Sequence, residues 1–233
     1  MTGADITSLT LATYNIHRCI GTDGRYSFER VLNVIRELDA DIIALQEVET
    51  RREGINQLEQ LSRHTGMKAV AGITMFSEHT HYGNALLSRL EIEELHREDI
   101  SINGREPRGA IYIKTRLGNV SIQVVATHLG LMPGERRAQV KQLLDIFERK
   151  SADISILMGD LNEWYLWGRP LRWLHRHFSK ATARATFPSQ LPLLALDRIW
   201  IKPRSCLRSI TSYKTAITRK ASDHLPLKAE LII

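Results

Sequence analysis

Short apolar runs alternate with amphipathic segments along this chain, and that order most restricts its fold. The run "LTLATYNI" is rich in β-branched and apolar residues and predicts a strand, as does "DIIALQEV". Between them, "SFERVLNVIRELD" repeats apolar residues at helical spacing, with Ser27 available as the N-cap. Helical periodicity also marks "INQLEQLSRHTG", which Gly66 ends, and "GERRAQVKQLLDIFERK". Further strands are predicted at "GNALLSRL", "GAIYIKTRL", "NVSIQVVATHL", "DISILMGD", "ALDRIWI" and "LPLKAELII".

This order of elements predicts an α/β (α+β) layered fold with mixed sheets. Apolar residues make up 43% of the chain, which is enough for a substantial core. The sequence contains no Gly/Ser linker, low-complexity tract or clear short repeat. We therefore expect one domain over residues 1–233, and a monomer.

Targeting signals and cysteines indicate the compartment. No run is long and apolar enough for a membrane helix, and the first residues lack the basic start and apolar block of a secretory signal. Cys19 and Cys206 do not make a disulfide framework, so we expect free thiols. We expect a cytoplasmic protein, either free or peripheral to the inner membrane face.

Positive charge is concentrated in one segment. The net charge is +6, yet residues 163–220 hold twelve Lys and Arg residues against two acids, which leaves −4 for the rest. Such asymmetry favours a polyanionic partner: nucleic acid, an anionic membrane surface or a phosphorylated metabolite. The alternative is an ordinary solvated basic face.

Polar residues stand where the predicted strands begin or end. They are Asn15, Glu47, His128, Asp160, Asn162, Asp197, Asp223 and His224. One Asp or His at a strand end is usually a cap or a turn residue. Eight of them beside buried runs are expected to pair with one another, to bind a cation, or both, because an unpaired buried charge is costly.

This set suits the hydrolysis of a phosphodiester. Oxygen ligands such as Glu47 and Asn15 suit Mg²⁺, or Mn²⁺ in its place. A carboxylate such as Asp160 can orient or deprotonate water, while imidazoles can donate hydrogen bonds to phosphate oxygens. Asp197 and Asp223 can orient an imidazole and favour its charged form. Because no side chain has an obvious activating base for covalent attack, direct attack by water is the simpler chemistry.

Six motifs in order, from Leu9 to the C-terminus, resemble the endonuclease/exonuclease/phosphatase superfamily. They are "TYNIH", "DIIALQEVE", "ATHLGL", "MGDLNEW", "LDRIW" and "SDHLPL". The resemblance implies a four-layered sandwich of two face-to-face mixed sheets flanked by helices, with the active site at one sheet edge. This small chain most resembles, through residues 14–25 and 186–199, a bacterial branch of the superfamily that is often compared with both nucleases and phospholipid-cleaving enzymes.

The resemblance also implies a role for each matching residue. It places Asn15, Glu47 and Asp223 at the metal. It makes Asp160 the residue that activates or orients water, with Asn162 as its companion on the phosphate side. His128 would face the phosphate, and His224 would be the essential imidazole, which Asp197 supports. The segment Arg105–Pro107 resembles a phosphate-contacting arginine segment, but Arg108 follows directly, so either arginine could face the site.

The segment "NEWYLWGRPLRWLHRHF" bears on the substrate. Its interleaved aromatic and basic residues, Trp167 and Arg172 among them, could stack on bases and hold a nucleic-acid backbone. They could also lie at a lipid headgroup interface. The plainer alternative is a helix whose Leu171, Leu174 and Phe178 pack on the sheet.

We therefore expect a Mg²⁺-dependent phosphodiesterase, with nucleic acid slightly ahead of phospholipid headgroups as its substrate. The alternatives are a phospholipid- or sphingomyelin-type phosphodiesterase at a membrane surface and a catalytically silent binding module.

Overall fold

A computed structural model describes residues 8–52, 55–77 and 80–233. Its first sheet contains seven strands: β1 (Ser8–Asn15), β2 (Ile42–Arg52), β3 (Ile55–Asn56), β4 (Lys68–Phe76), β5 (Thr80–Ser88), β11 (Leu207–Ser212) and β12 (Leu227–Ile232). The second contains five: β6 (Ile92–Asp99), β7 (Gly109–Leu117), β8 (Val120–His128), β9 (Ile154–Asp160) and β10 (Asp197–Lys202). The helices are α1 (Phe28–Leu38), α2 (Gln57–Thr65), α3 (Pro133–Arg149), α4 (Arg169–Phe178) and α5 (Thr218–Ala221).

Both sheets are mixed. The first has the order β11-β12-β1-β2-β5-β4, with β3 paired to β2, and the second has the order β10-β9-β8-β7-β6. Strands β1 and β2 run parallel, as do β8 and β9, while their other neighbours are antiparallel. The C-terminal ends of β1 and β2 therefore lie at one edge of the first sheet, and those of β8 and β9 lie at one edge of the second.

Three apolar clusters separate four layers. The central cluster lies between the sheets and includes Leu11 and Ile42 of the first with Val124 and Ile156 of the second. A second cluster packs α1 and α2 on the outer face of the first sheet. A third packs α3 and α4 on the outer face of the second. This helix–sheet–sheet–helix order confirms the fold class predicted from the sequence.

The helices begin and end as their sequences indicate. The Ser27 hydroxyl accepts a hydrogen bond from the Arg30 N–H at 3.3 Å and caps α1. Gly66 ends α2 with φ 70°, in the left-handed region that suits glycine. Helix α4 buries its apolar face, including Leu171 and Phe178, as the plainer interpretation of this segment expects. Among the described helices, none combines the length and apolar character needed to cross a bilayer.

Alternate residues of each strand face the space between the two sheets, and in four strands this series ends in a polar residue. In β1, Leu9 and Leu11 point into the central cluster, and the same alternation brings Asn15 to that face. In β9, Ile156 and Met158 do the same for Asp160. His128 and Asp197 extend the corresponding faces of β8 and β10. The cleft between the sheets thus changes from apolar to polar at the edge where these strands end.

Gly159 lets β9 approach β8 next to this polar edge. It has φ 150°, and a Cβ atom built there would overlap the Thr127 carbonyl oxygen. Gly159→Ala should therefore lower the free energy of unfolding by roughly 2 kcal/mol or more, through backbone strain and overpacking. Denaturant unfolding measures the loss. In the control, Gly134→Ala, the new methyl group on α3 makes only an ordinary contact with Nη2 of Arg137 at 3.7 Å and should cost nothing. Equal stability of both variants would contradict the close approach.

Candidate active site

Glu47 reaches the site because β2 bulges there. The register of β2 on β5 shifts between Leu45 and Val48, and Glu47 has φ 56°, in the left-handed region. A bulge redirects the side chain of its extra residue. Without it, alternation would point Glu47 with Leu45 toward the helix layer. Instead, its Oε1 accepts a hydrogen bond from Nδ2 of Asn15 at 2.9 Å.

The Asn15 side chain joins carboxylates from both sheets. Its Nδ2 donates to Oε1 of Glu47 at 2.9 Å and to Oδ2 of Asp160 at 3.1 Å. Its Oδ1 accepts the backbone N–H of His17 at 3.0 Å, which fixes the orientation of the amide. Two carboxylates that share one amino group repel each other, so this arrangement suits an additional positive charge between them.

A second set of contacts fixes Asp160 and orders His128. Oδ1 of Asp160 accepts the Asn162 backbone N–H at 2.9 Å. The Asn162 amino group donates to the Leu129 carbonyl at 2.9 Å and lies 3.0 Å from Nε2 of His128. The Leu129 carbonyl can only accept, so the group of Asn162 that faces it is the amino group. Because this amino group can only donate, Nε2 of His128 is the acceptor and the ring proton sits on Nδ1. Burial lowers the pKa of His128 to about 4 despite the opposing effect of Asp160, so the ring is neutral.

His224 has the opposite charge state. Its Nδ1 donates to Oδ2 of Asp197 at 2.9 Å, and the Thr186 hydroxyl donates to the same oxygen at 2.6 Å. Burial lowers the pKa of His224, but Asp197, together with Asp160 and Asp223, outweighs it and raises the pKa to about 10. The ring is therefore an imidazolium near neutral pH, with Nε2 3.7 Å from Oδ2 of Asp160.

Ser222 connects the last motif to β1. Its hydroxyl donates to the Asn15 carbonyl at 2.7 Å and lies 3.2 Å from Oδ1 of Asp223, which places that carboxylate beside the first strand end. Our sequence analysis assigned no role to Ser222 or to Thr186. Ser222 stands inside the motif "SDHLPL", next to Asp223, and Thr186 opens the segment 186–199 that also contains Asp197, which was the available signal.

The two candidate arginines have different environments. Arg108 is buried, and its positive charge contributes to the lowered pKa of His128. Arg108 therefore lies near His128 and the other polar residues of the candidate site. Its Nη2 is 3.3 Å from Oε1 of Glu106, while Nε has no hydrogen-bond partner among the described residues. Arg105 is exposed.

A buried ion pair between Arg136 and Glu163 holds the loop after β9 in place. Nε of Arg136 donates to Oε2 of Glu163 at 3.1 Å, with both side chains buried. The same guanidinium donates to the Leu131 carbonyl and lies 4.8 Å from the ring centre of Trp164. Removing one partner of such a buried pair typically costs about 3–5 kcal/mol. This pair holds two loops at the site edge, and our sequence analysis did not identify it.

Trp167 and Arg172 lie on the outer surface of that loop and of α4. Trp167 is 75% exposed and lines a groove with Arg137, Arg169 and Tyr165. Arg172 is exposed on α4. Their predicted contact with substrate stays a prediction.

Two groups of residues could hold a cation. Asp160, Asp197 and His224 offer ligand atoms within 4.8 Å of one another. However, Asp197 is engaged by Thr186 and His224, and a protonated imidazole has no lone pair for a metal. The carboxylates of Glu47 and Asp223 are half-exposed and offer hard oxygen ligands next to Asn15. The second group is the better candidate.

The model of the Endonuclease/Exonuclease/phosphatase family matches residues 12–224. The chain belongs to this family. The match spans Asn15 through His224, the first and last residues of the cluster, and confirms the resemblance seen in the six motifs.

The similarity to known proteins extends over nearly the whole chain. YbhP of Escherichia coli K12 is 32% identical over 244 residues, which cover 96% of both chains. The crystal structure of an endonuclease/exonuclease/phosphatase from Bacteroides vulgatus is similar with a TM-score of 0.80 at 18% identity, covering 97% of this chain and 98% of that one. The mannosyl-6-phosphatase Bt3783 of Bacteroides thetaiotaomicron has a TM-score of 0.76 at 17% identity, covering 97% and 100%.

The charge of His224 can be tested directly. Asp197→Asn removes the largest favourable influence on the imidazolium while burial remains, so the pKa of His224 should fall well below about 10. Long-range ¹H–¹⁵N NMR of the imidazole, recorded with EDTA, measures the titration. Asp145→Asn, at an exposed site on α3, should leave it unchanged. An unaltered titration in Asp197→Asn would contradict the assigned pairing.

Proposed function

We propose that this chain is a divalent-metal-dependent phosphodiesterase in which water attacks the phosphorus directly. The family acts on phosphoester bonds, and the site geometry favours this mechanism within it. The observation that carries the proposal is the amide of Asn15, which holds Glu47 and Asp160 at 2.9 and 3.1 Å. This shared contact supports a role for Glu47 as a metal ligand and for Asp160 as the carboxylate that orients water.

The chemistry of the donor set fits a hard cation. Glu47 and Asp223 offer carboxylate oxygens and Asn15 an amide oxygen, which are ligand types that Mg²⁺ and Mn²⁺ accept. These residues would hold the ion, which would supply charge neutralisation at a phosphate oxygen. Oδ1 of Asn15 already accepts the His17 N–H, so only its second lone pair is free for the ion.

Asp160 is suited to orient water. It is 1% exposed, and hydrogen bonds from Asn15 and from the Asn162 N–H fix both of its oxygens. A carboxylate held in this way can accept a proton from water in one defined direction.

His224 is suited to stabilise the charge that develops on phosphate. Its imidazolium is oriented by Asp197, so Nε2 presents a proton toward the cleft that also contains Asp160. Nε2 of His128 accepts from Asn162 and positions that amide, and the contact of His128 with phosphate stays a prediction.

Arg108 supports an anionic substrate. A buried guanidinium costs desolvation free energy, and a phosphate nearby would offset part of that cost. Together with the complete acid, amide and imidazole set, it argues against a catalytically silent module. The solved structures, at 17–18% identity, do not select the ester, so nucleic acid as the substrate stays a prediction.

His224→Ala should lower kcat on bis-p-nitrophenyl phosphate with Mg²⁺ by about 10²–10³-fold, the usual effect of losing one donor to a transition-state oxyanion. Far-UV circular dichroism should show an unchanged fold. His64→Ala, at an exposed position on α2, is the matched control and should keep full activity.

EDTA should abolish turnover by the unaltered protein, and Mg²⁺ or Mn²⁺ should restore it. Turnover that survives EDTA, or His224→Ala with wild-type kinetics, would refute the mechanism. The same purified protein tested on plasmid DNA, single strands, sphingomyelin and phosphatidylglycerol would identify the ester.

A further inference from the structure

Exposed apolar side chains concentrate in three loops that adjoin candidate active-site residues. Among residues 8–52, 55–77 and 80–233, twelve large apolar side chains are exposed, and nine of them belong to three short stretches. These stretches are 131–132, 164–167 and 191–194, and we name their exposed apolar side chains the apolar rim. Isolated exposed leucines are ordinary on a protein surface, but a concentration of them marks an interaction surface.

Each stretch of the rim is attached to the site. Stretch 131–132 follows His128, and 164–167 follows Asp160 and Asn162. Stretch 191–194 belongs to the loop that begins with Thr186, the hydrogen-bond donor to Asp197. In the same loop, the ring of Phe187 lies 4.9 Å from that of His224. Each stretch of the rim therefore adjoins a strand end or loop that holds a residue of the candidate active site.

The rim has basic neighbours. Arg137 and Arg169 line the groove that contains Trp167, and Arg172 lies exposed on the same helix as Arg169. The carboxylate that lines this groove, Glu163, is neutralised by its buried pair with Arg136. The accessible charge beside the rim is thus positive.

The composition of the rim selects the partner. Six of its nine side chains are aliphatic, with Leu131, Leu166 and Leu193 each more than half exposed. Nucleic acid gains from aromatic faces and arginines, but protruding leucines offer its bases little. A bilayer surface uses all three types, since leucine and tryptophan enter the boundary between headgroups and acyl chains while arginines bind lipid phosphates.

We propose that the apolar rim docks onto an anionic lipid bilayer and presents a headgroup phosphate to the site. The substrate would then be a phospholipid ester, an inference that rests on the proposed function. The docking itself does not require turnover, so the two proposals can be tested apart.

Vesicle binding tests the rim. Vesicles of phosphatidylcholine alone, or with about one-third phosphatidylglycerol, are mixed with the intact protein, and co-sedimentation and tryptophan emission are recorded. We expect binding that requires the anionic lipid, with a blue shift as Trp167 leaves water. Leu166→Ser combined with Leu193→Ser should lower the partition coefficient by roughly tenfold or more. This double variant should hydrolyse bis-p-nitrophenyl phosphate at the unaltered rate.

Matched controls lie at the end of the first sheet where β1 begins, away from Asn15. Ile232→Ser removes an exposed apolar side chain from β12, and Arg208→Gln removes an exposed arginine from β11. Neither should change vesicle binding, whereas Arg169→Gln combined with Arg172→Gln should weaken it several-fold.

The outcomes separate the two proposals. Hydrolysis of the small ester without vesicle binding would overturn the rim and leave the proposed function. Vesicle binding without turnover of any ester would leave the rim and overturn the function. Loss of plasmid or oligonucleotide binding in the rim variants, without lipid binding by the intact protein, would make the rim a nucleic-acid surface and also overturn this inference. Loss of self-association in the rim variants, without lipid binding by the intact protein, would also overturn this inference.

Discussion

The amide of Asn15 links the two sheets at the point where their strands end, and the rest of the site is arranged around it. Its amino group binds Glu47 of the first sheet and Asp160 of the second. Beneath it, the apolar faces of the same strands pack into the central core. Because the position of each carboxylate is set by its strand, rigid packing of the core keeps the polar edge in register. A site assembled in this way needs little reorganisation when substrate binds.

The central strands could be predicted from the sequence, whereas three edge strands could not. Strands β4, β6 and β11 each lie at the end of a sheet, and none of them was among our predictions. Strand β6, "IEELHRED", is rich in charge and lacks the apolar alternation of a core strand. Edge strands need to bury less surface, and charge there discourages pairing with other chains. Their pairing depends on the neighbouring strand, which local sequence does not encode.

Most residues of the candidate site could be predicted from the sequence, because they are polar residues beside apolar runs and a buried charge requires a partner. Which residues pair with one another could be seen only in the folded structure. Glu47 faces Asn15 through a bulge that simple alternation would not reveal. The pairing of Arg136 with Glu163 connects residues 27 positions apart, and the structure alone shows which of Arg105 and Arg108 is buried. Charge states also depended on geometry, since His128 and His224 have the same side chain and opposite pKa shifts.

Crystals grown with Mn²⁺ test the central claim most directly, through anomalous scattering that locates the ion. This account predicts an anomalous peak within about 2.5 Å of a Glu47 carboxylate oxygen, beside Asn15 and Asp223. The peak should vanish in Glu47→Gln. A peak enclosed by Asp160, Asp197 and His224 would contradict it, because His224 would then be a neutral ligand and not the cation that faces phosphate.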